Sequence, residues 1–237
     1  MKQGDEDDHR ITQILHHLKS DVRHDMALLA RPFIIEFDGM PSCGKTTVIK
    51  ELNKYFRHNG LRVCAPQEGA EAVCHIPRTT PEYNIRIALY TISMIMDLSW
   101  NHTYDLILLD RGIFDFLCWT DYMYDKNMIT DEQAKTLTQF YLLPSFTEKR
   151  DCAVVMICDP KIALEREKNL ELSKKSGFTT IESLHEFYNR SFGLFIDRAP
   201  IYSSLQLLDT TTLTRQKMTQ CAKDIVLDRL SHKIKTA

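Results

Sequence analysis

The chain has no apolar run approaching the ~20 residues that a membrane span requires. It has no excess of either charge. Its 30 Lys and Arg against 32 Asp and Glu leave a net charge of −2, so neither bulk nucleic acid nor an anionic membrane is expected as a partner. The first ten residues, MKQGDEDDHR, lack the apolar core of a secretory signal and the acid-poor character of a transit peptide. Cytoplasmic residence is the expectation. The seven cysteines are odd in number and form no Cys-x-x-Cys or Cys/His metal spacing. They read as reduced thiols, mostly buried. There is no internal repeat and no low-complexity segment. What is present is 43% apolar residues in 237, enough for the core of one large domain with small additions.

Residues 39 to 46 read Gly39-Met40-Pro41-Ser42-Cys43-Gly44-Lys45-Thr46, a complete G-x-x-x-x-G-K-[ST] phosphate-binding loop. A chance match in a chain of this length is on the order of 1% at average residue usage. The loop follows the apolar run Phe33 to Phe37 and precedes a helical stretch, Thr47 to His58. A strand, a glycine-cornered loop and a helix N-terminus together make an anion cradle of inward amides and positive helix dipole. Gly39, Pro41, Ser42, Cys43, Gly44 and Thr47 would line the donor phosphates. Lys45 would reach the β- and γ-phosphates, and Thr46 would bind Mg²⁺. Cys43, inside the loop, reads as a small residue fitted to it, with redox sensing as the alternative.

Apolar runs at 33–37, 61–65, 106–110, 152–158 and 205–209 alternate with helical patterns, which predicts a parallel five-stranded sheet with helices on both faces. Residues 9–30 predict an amphipathic helix that would pack on the domain or on a partner subunit, so a homodimer is an open expectation. Residues 66–83 read as an irregular active-site loop. Helices are expected over 85–100, 112–125, 131–146, 161–169, 181–197 and 214–230. The loop, Glu68, Asp110-Arg111 and Asp159-Pro160 each follow a strand. The topology therefore gathers them at the carboxyl edge of the sheet, where ligands bind.

Several phosphate-loop branches do not fit. Asn53-Lys54 is followed by Tyr55-Phe56, and no Asp-x-x-Gly switch is present, which argues against a guanine-specific hydrolase. The strand before Gly112 ends Asp110-Arg111 rather than Asp-Glu. An arginine there suits transfer to a bound acceptor better than activation of water.

Phe33 to Gly39, Gly44-Lys45-Thr46-Thr47, Asp110-Arg111 and Cys158-Asp159-Pro160…Ala163-Leu164-Glu165-Arg166 resemble, in order and spacing, the thymidylate kinase and deoxynucleoside kinase group. The likeness covers most of residues 32 to 230. It implies a P-loop kinase-type domain over 32–237 with a helical lid at about 165–182, and residues 1–31 as an N-terminal helical extension. It also implies ATP and Mg²⁺ as cofactors and a nucleoside or nucleoside monophosphate as acceptor. Asp110 would stand behind the metal with Thr46, and Arg111 would clamp the acceptor side. Glu68, or else Glu71, would orient or deprotonate an acceptor hydroxyl. Arg166, with Lys168, Lys174 and Lys175, would close over the transferring group. The chain departs from thymidylate kinases in placing Pro41 where they carry an Asp. Asp38 matches the acidic residue that deoxynucleoside kinases place before the first loop glycine. The lid is poor in arginine. Phe114, Phe116, Trp119 and Tyr122 read as helix core, Tyr83 and Arg86 as candidate acceptor contacts, and Asp115 as either a cap or a pocket residue. Two other readings stay open: a kinase of another small acceptor on the same scaffold, and a regulatory NTP-binding or hydrolysing switch.

Overall fold

A computed structural model describes residues 9–16, 31–73, 75–168, 183, 185–190 and 204–236. Five strands form one parallel sheet: β1 (Phe33–Gly39), β2 (Val63–Cys64), β3 (Leu106–Asp110), β4 (Cys152–Ile157) and β5 (Leu205–Asp209), in the order β2-β3-β1-β4-β5. The expected α/β architecture is present. Strand β1 lies at the centre and is buried along its whole length, as a parallel strand covered on both faces must be.

The helices, in chain order, are α1 (9–16), α2 (Lys45–His58), α3 (Gly69–Ala72), α4 (Pro81–Ser99), α5 (Ile113–Asp125), α6 (Asp131–Tyr141), α7 (Pro144–Thr147), α8 (Pro160–Lys168), α9 (185–190) and α10 (Arg215–Thr236). The described part of the N-terminal helix, α1, buries Ile11 and Ile14 in the core. It also sets Arg10 within 3.9 Å of Asp224 and Asp228 on α10, so it packs on this domain. Residues 17–30 of that expected helix, and 169–182 of the expected lid with Lys174 and Lys175, lie outside the described residues, as does the side chain of Lys168.

Three expected elements are corrected. The loop over 66–83 contains α3, and α4 begins at Pro81 rather than near 85. Thr80 caps it by accepting from the Tyr83 amide, and Pro81 takes the first turn, where its missing N–H costs nothing. The helix expected over 131–146 divides at Leu142 and Leu143, because Pro144 cannot continue a helix and instead starts α7. Thr130 caps α6 through a reciprocal bond with Gln133.

The central strand also carries two carboxylates, and these position the segment after β3. The Ile113 amide donates to Glu36 Oε2 at 2.8 Å, so a buried carboxylate sits on the positive end of α5. Arg150 Nη1 donates to Glu36 Oε1 at 2.6 Å, both side chains being at most 1% exposed. Breaking such a pair by removing one partner costs about 3–5 kcal/mol, so the start of α5 is firmly held. The Gly112 amide donates to Asp38 Oδ1 at 2.7 Å. A Cβ at Gly112 would lie 1.8 Å from Glu36 Oε2, so only glycine allows this approach. These contacts place Arg111 and Asp115, the residues flanking that turn.

Candidate active site

The phosphate loop leaves β1 at Gly39, whose φ is +140° and where a Cβ would come within 2.0 Å of the Met156 carbonyl. Ser42 and Gly44 are also left-handed, at φ 61° and 107°. This backbone closes the loop over the start of α2 and is the form an amide-lined anion cradle requires. Met40 and Cys43 turn inward and are wholly buried. Cys43 therefore fits the loop as a packing residue, with its Sγ 3.9 Å from Lys45 Nζ. Lys45 is itself buried and donates to the carbonyls of Gly39 and Met40 at 2.8 and 3.0 Å.

Because β3 lies beside β1, the end of β3 stands against this loop. Thr46 Oγ1 donates to Asp110 Oδ2 at 2.6 Å. Burial pushes the Asp110 carboxyl above its ordinary value, against the pull of Lys45 and the Thr46 hydrogen bond. Asp110 Oδ1 is buried with no hydrogen-bond partner among the described residues. A hydroxyl beside a carboxylate with an open oxygen is a hard donor set that fits Mg²⁺, which is held by one or two carboxylates together with substrate phosphates.

Arg111 follows with φ 74°, a conformation costly for a residue with a side chain and found where surrounding structure enforces it. Its amide donates to the Phe37 carbonyl. Its guanidinium is gripped on two edges: Nε donates to Glu68 Oε1 and Nη1 to Asp115 Oδ1, both at 2.7 Å. Burial opposes its charge, but Asp115 and Glu68 hold its pKa well above the ordinary value. Glu68 precedes α3 in extended conformation and makes no cap bond to it, which leaves its carboxylate to Arg111. Gly69 lets this segment lie on α4, since a Cβ there would meet Ile87 at 2.9 Å. Burial pushes the Glu68 carboxyl up, yet Arg111, Lys45 and Arg78 together hold it below its ordinary value. Asp38 behaves oppositely. Burial, then the charges of Glu36 and Asp115, raise it well above the usual carboxylate range.

The structure thus brings Lys45, Thr46, Glu68, Asp110 and Arg111 together. Glu71 is exposed on α3, whereas Glu68 meets Arg111. Arg166 stands apart. It donates to Cys158 Sγ and to the hydroxyl and carbonyl of Thr210 at 3.3, 3.1 and 2.7 Å. Thr210 Oγ1 in turn lies 2.9 Å from the Cys43 carbonyl of the loop. Arg166 therefore braces the back of the loop. Phe114 and Phe116 belong to the core, while Arg86 is exposed. Asp115, open between a cap and a pocket role in the sequence, pairs with Arg111, and its i,i+4 spacing is a local signal for the pair. Tyr188, whose hydroxyl donates to Asp115, has no such signal, because its partner lies 73 positions away.

Two solved structures of deoxyadenosine kinase from M. mycoides are similar to the chain. One holds the products dCMP and a flexible dCDP, and aligns with TM-score 0.58 at 17% identity over 82% of this chain and 98% of that one. The other holds dCTP and aligns with the same score and coverage at 16% identity. The chain has the fold of a deoxynucleoside kinase. No protein-family profile matches it, and no curated protein does. In this fold the loop after β1 and the turn after β3 meet at the carboxyl edge of the sheet, where Lys45, Asp110 and Arg111 stand. Among the described residues no helix is long and apolar enough to cross a membrane.

Proposed function

We propose that the protein is a cytoplasmic kinase that transfers the γ-phosphoryl group of ATP to a hydroxyl of a nucleoside. The observation that carries this reading is Arg111 held between Glu68 and Asp115, at 2.7 Å from each, beside the phosphate loop. A phosphoryl group in transfer is loosely bonded, so catalysis consists mainly of positioning and charge neutralisation. The loop amides and Lys45 hold the donor phosphates. Thr46 and Asp110 would hold Mg²⁺, which when bound neutralises phosphate charge. Arg111, fixed and permanently charged, faces the transferring group. Glu68, kept ionised by its basic neighbours, accepts a hydrogen bond from the acceptor hydroxyl, orients it and takes up its proton. Arg166 braces the loop through Thr210. Residues 32–237 form the catalytic unit in this reading.

Three features favour a nucleoside over a nucleoside monophosphate. Arg111 is already paired on two edges, so an acceptor phosphate would meet the Glu68 and Asp115 carboxylates before any open cation. A neutral hydroxyl needs a carboxylate, and one is in place. Pro41 stands where thymidylate kinases carry an Asp. The dCMP product and dCTP bound to the deoxyadenosine kinases of like fold support the same choice. The switch reading gains nothing from the Glu68–Arg111–Asp115 chain, which serves an acceptor.

Glu68→Gln tests the assignment. It keeps size and one acceptor oxygen but cannot take a proton, and kcat should fall about 10²- to 10⁴-fold at little change in the KM for ATP. In the wild-type enzyme the lowered pKa of Glu68 keeps it charged across neutral pH. Its contribution is lost only as the pH falls below the ordinary value of 4.5. A Glu68→Gln enzyme with wild-type kcat would remove Glu68 from the mechanism.

A further inference from the structure

Asp115 is engaged twice through one oxygen. Its Oδ1 accepts from Arg111 Nη1 at 2.7 Å and from the Tyr188 hydroxyl. Tyr188 stands on α9 and is wholly buried, with its ring centroid 6.2 Å from that of Phe114. Burial, with Asp115 beside it, raises the phenol pKa well above 10.0, so Tyr188 remains a donor throughout the working range. A buried tyrosine needs some acceptor for its hydroxyl, and this one uses the carboxylate that holds Arg111.

The consequence is geometric. A carboxylate bonded to Arg111 alone can turn about its side chain and let the guanidinium swing. With the phenol on the same oxygen, both the rotamer and the height of Asp115 are fixed. Arg111 is then held between two acceptors, Asp115 on α5 and Glu68 before α3. The chain Tyr188–Asp115–Arg111–Glu68 runs from α9 to the acceptor end of the site. None of its links follows from the phosphate-loop motif.

We propose that Tyr188 is a positioning residue for phosphoryl transfer: by fixing Asp115 it sets the direction of the Arg111 guanidinium toward the acceptor. This assignment rests on the nucleoside kinase reading.

Tyr188→Phe tests it in the full chain, because the ring and its packing on Phe114 stay. Steady-state rates are measured with ATP and nucleosides and referred to the fraction of protein that binds a non-hydrolysable ATP analogue. The expected result is a kcat about 10- to 100-fold lower with an unchanged KM for ATP. In an Asp115→Asn background the same change should add less than about twofold, since the two act as one unit. Three results overturn the assignment alone while wild-type turnover stands. The first is Tyr188→Phe retaining wild-type kcat. The second is an effect that adds in full to Asp115→Asn. The third is a variant that binds no analogue, which would make the phenol a support of the fold. A wild-type enzyme that phosphorylates no nucleoside overturns the kinase reading and this assignment with it.

Discussion

Lys45→Met is expected to lower kcat by about 10²- to 10³-fold or more while leaving the chain folded. Lys45 is buried, and its ammonium is the cation placed inside the phosphate loop, donating to the Gly39 and Met40 carbonyls at 2.8 and 3.0 Å. A methionine of similar length fills the same volume beside Met40 and Cys43, so packing is largely kept. What is lost is two hydrogen bonds, each worth about 1.5–3 kcal/mol to stability when the donor is charged. Also lost is the positive charge that, in the proposed mechanism, would stabilise the β- and γ-phosphates as the bond to the leaving group loosens. Transfer therefore fails while circular dichroism and the cooperative thermal transition persist. Steady-state phosphoryl transfer, measured beside a thermal melt, checks both halves. Retained activity would contradict the loop assignment.

Arg111→Met is expected to lower kcat by about 10³-fold or more, the range associated with arginines that meet a transferring phosphoryl group. Like Lys45→Met, it should also destabilise the fold. Its removal leaves Asp115, only 2% exposed, without its counter-ion. Stranding a buried carboxylate in this way costs about 3–5 kcal/mol. The left-handed backbone at position 111 offsets none of this, because methionine is as strained there as arginine. Arg111→Lys separates the two effects. A lysine restores charge between the carboxylates and so much of the stability, but it cannot donate along two edges of a planar fork. It should melt closer to wild type while kcat stays about 10²-fold down. Equal losses of stability and equal activities in the two variants would show that Arg111 acts as a structural ion pair.

The central strands and the loop were legible in the sequence because their signals are local. Phe33 to Phe37, Leu106 to Asp110 and Leu205 to Asp209 are short apolar runs ending in polar residues or glycine, and each forms the expected strand. Glu68 and Asp110-Arg111 were legible because strand ends in a parallel sheet share one edge. Apolar periodicity misplaces helix ends where capping chemistry decides them. Thr80-Pro81 and Leu143-Pro144 mark a helix start and a helix break more sharply than the surrounding Ile, Leu and Phe. What could not be read were pairings across long separations. Glu36 meets Arg150 114 positions away, and Asp115 meets Tyr188 73 positions away. Acidic residues on a buried strand announce that partners must exist, but not which ones. Arg166 illustrates the same limit. Its place in a recognisable stretch suggested the transferring group, whereas its hydrogen bonds go to Cys158 and Thr210.

The direct test of the account is the ratio of kcat/KM for a nucleoside to that for its own 5′-monophosphate, with ATP and Mg²⁺, measured across the common bases by release of ADP and identification of the phosphorylated product. Glu68 and Asp115 on either side of Arg111 predict a ratio above about 10² for at least one base, an unpaired acceptor phosphate among carboxylates costing several kcal/mol. The predicted product is a nucleoside monophosphate. A ratio at or below one, or no ADP release stimulated by any nucleoside, would contradict it.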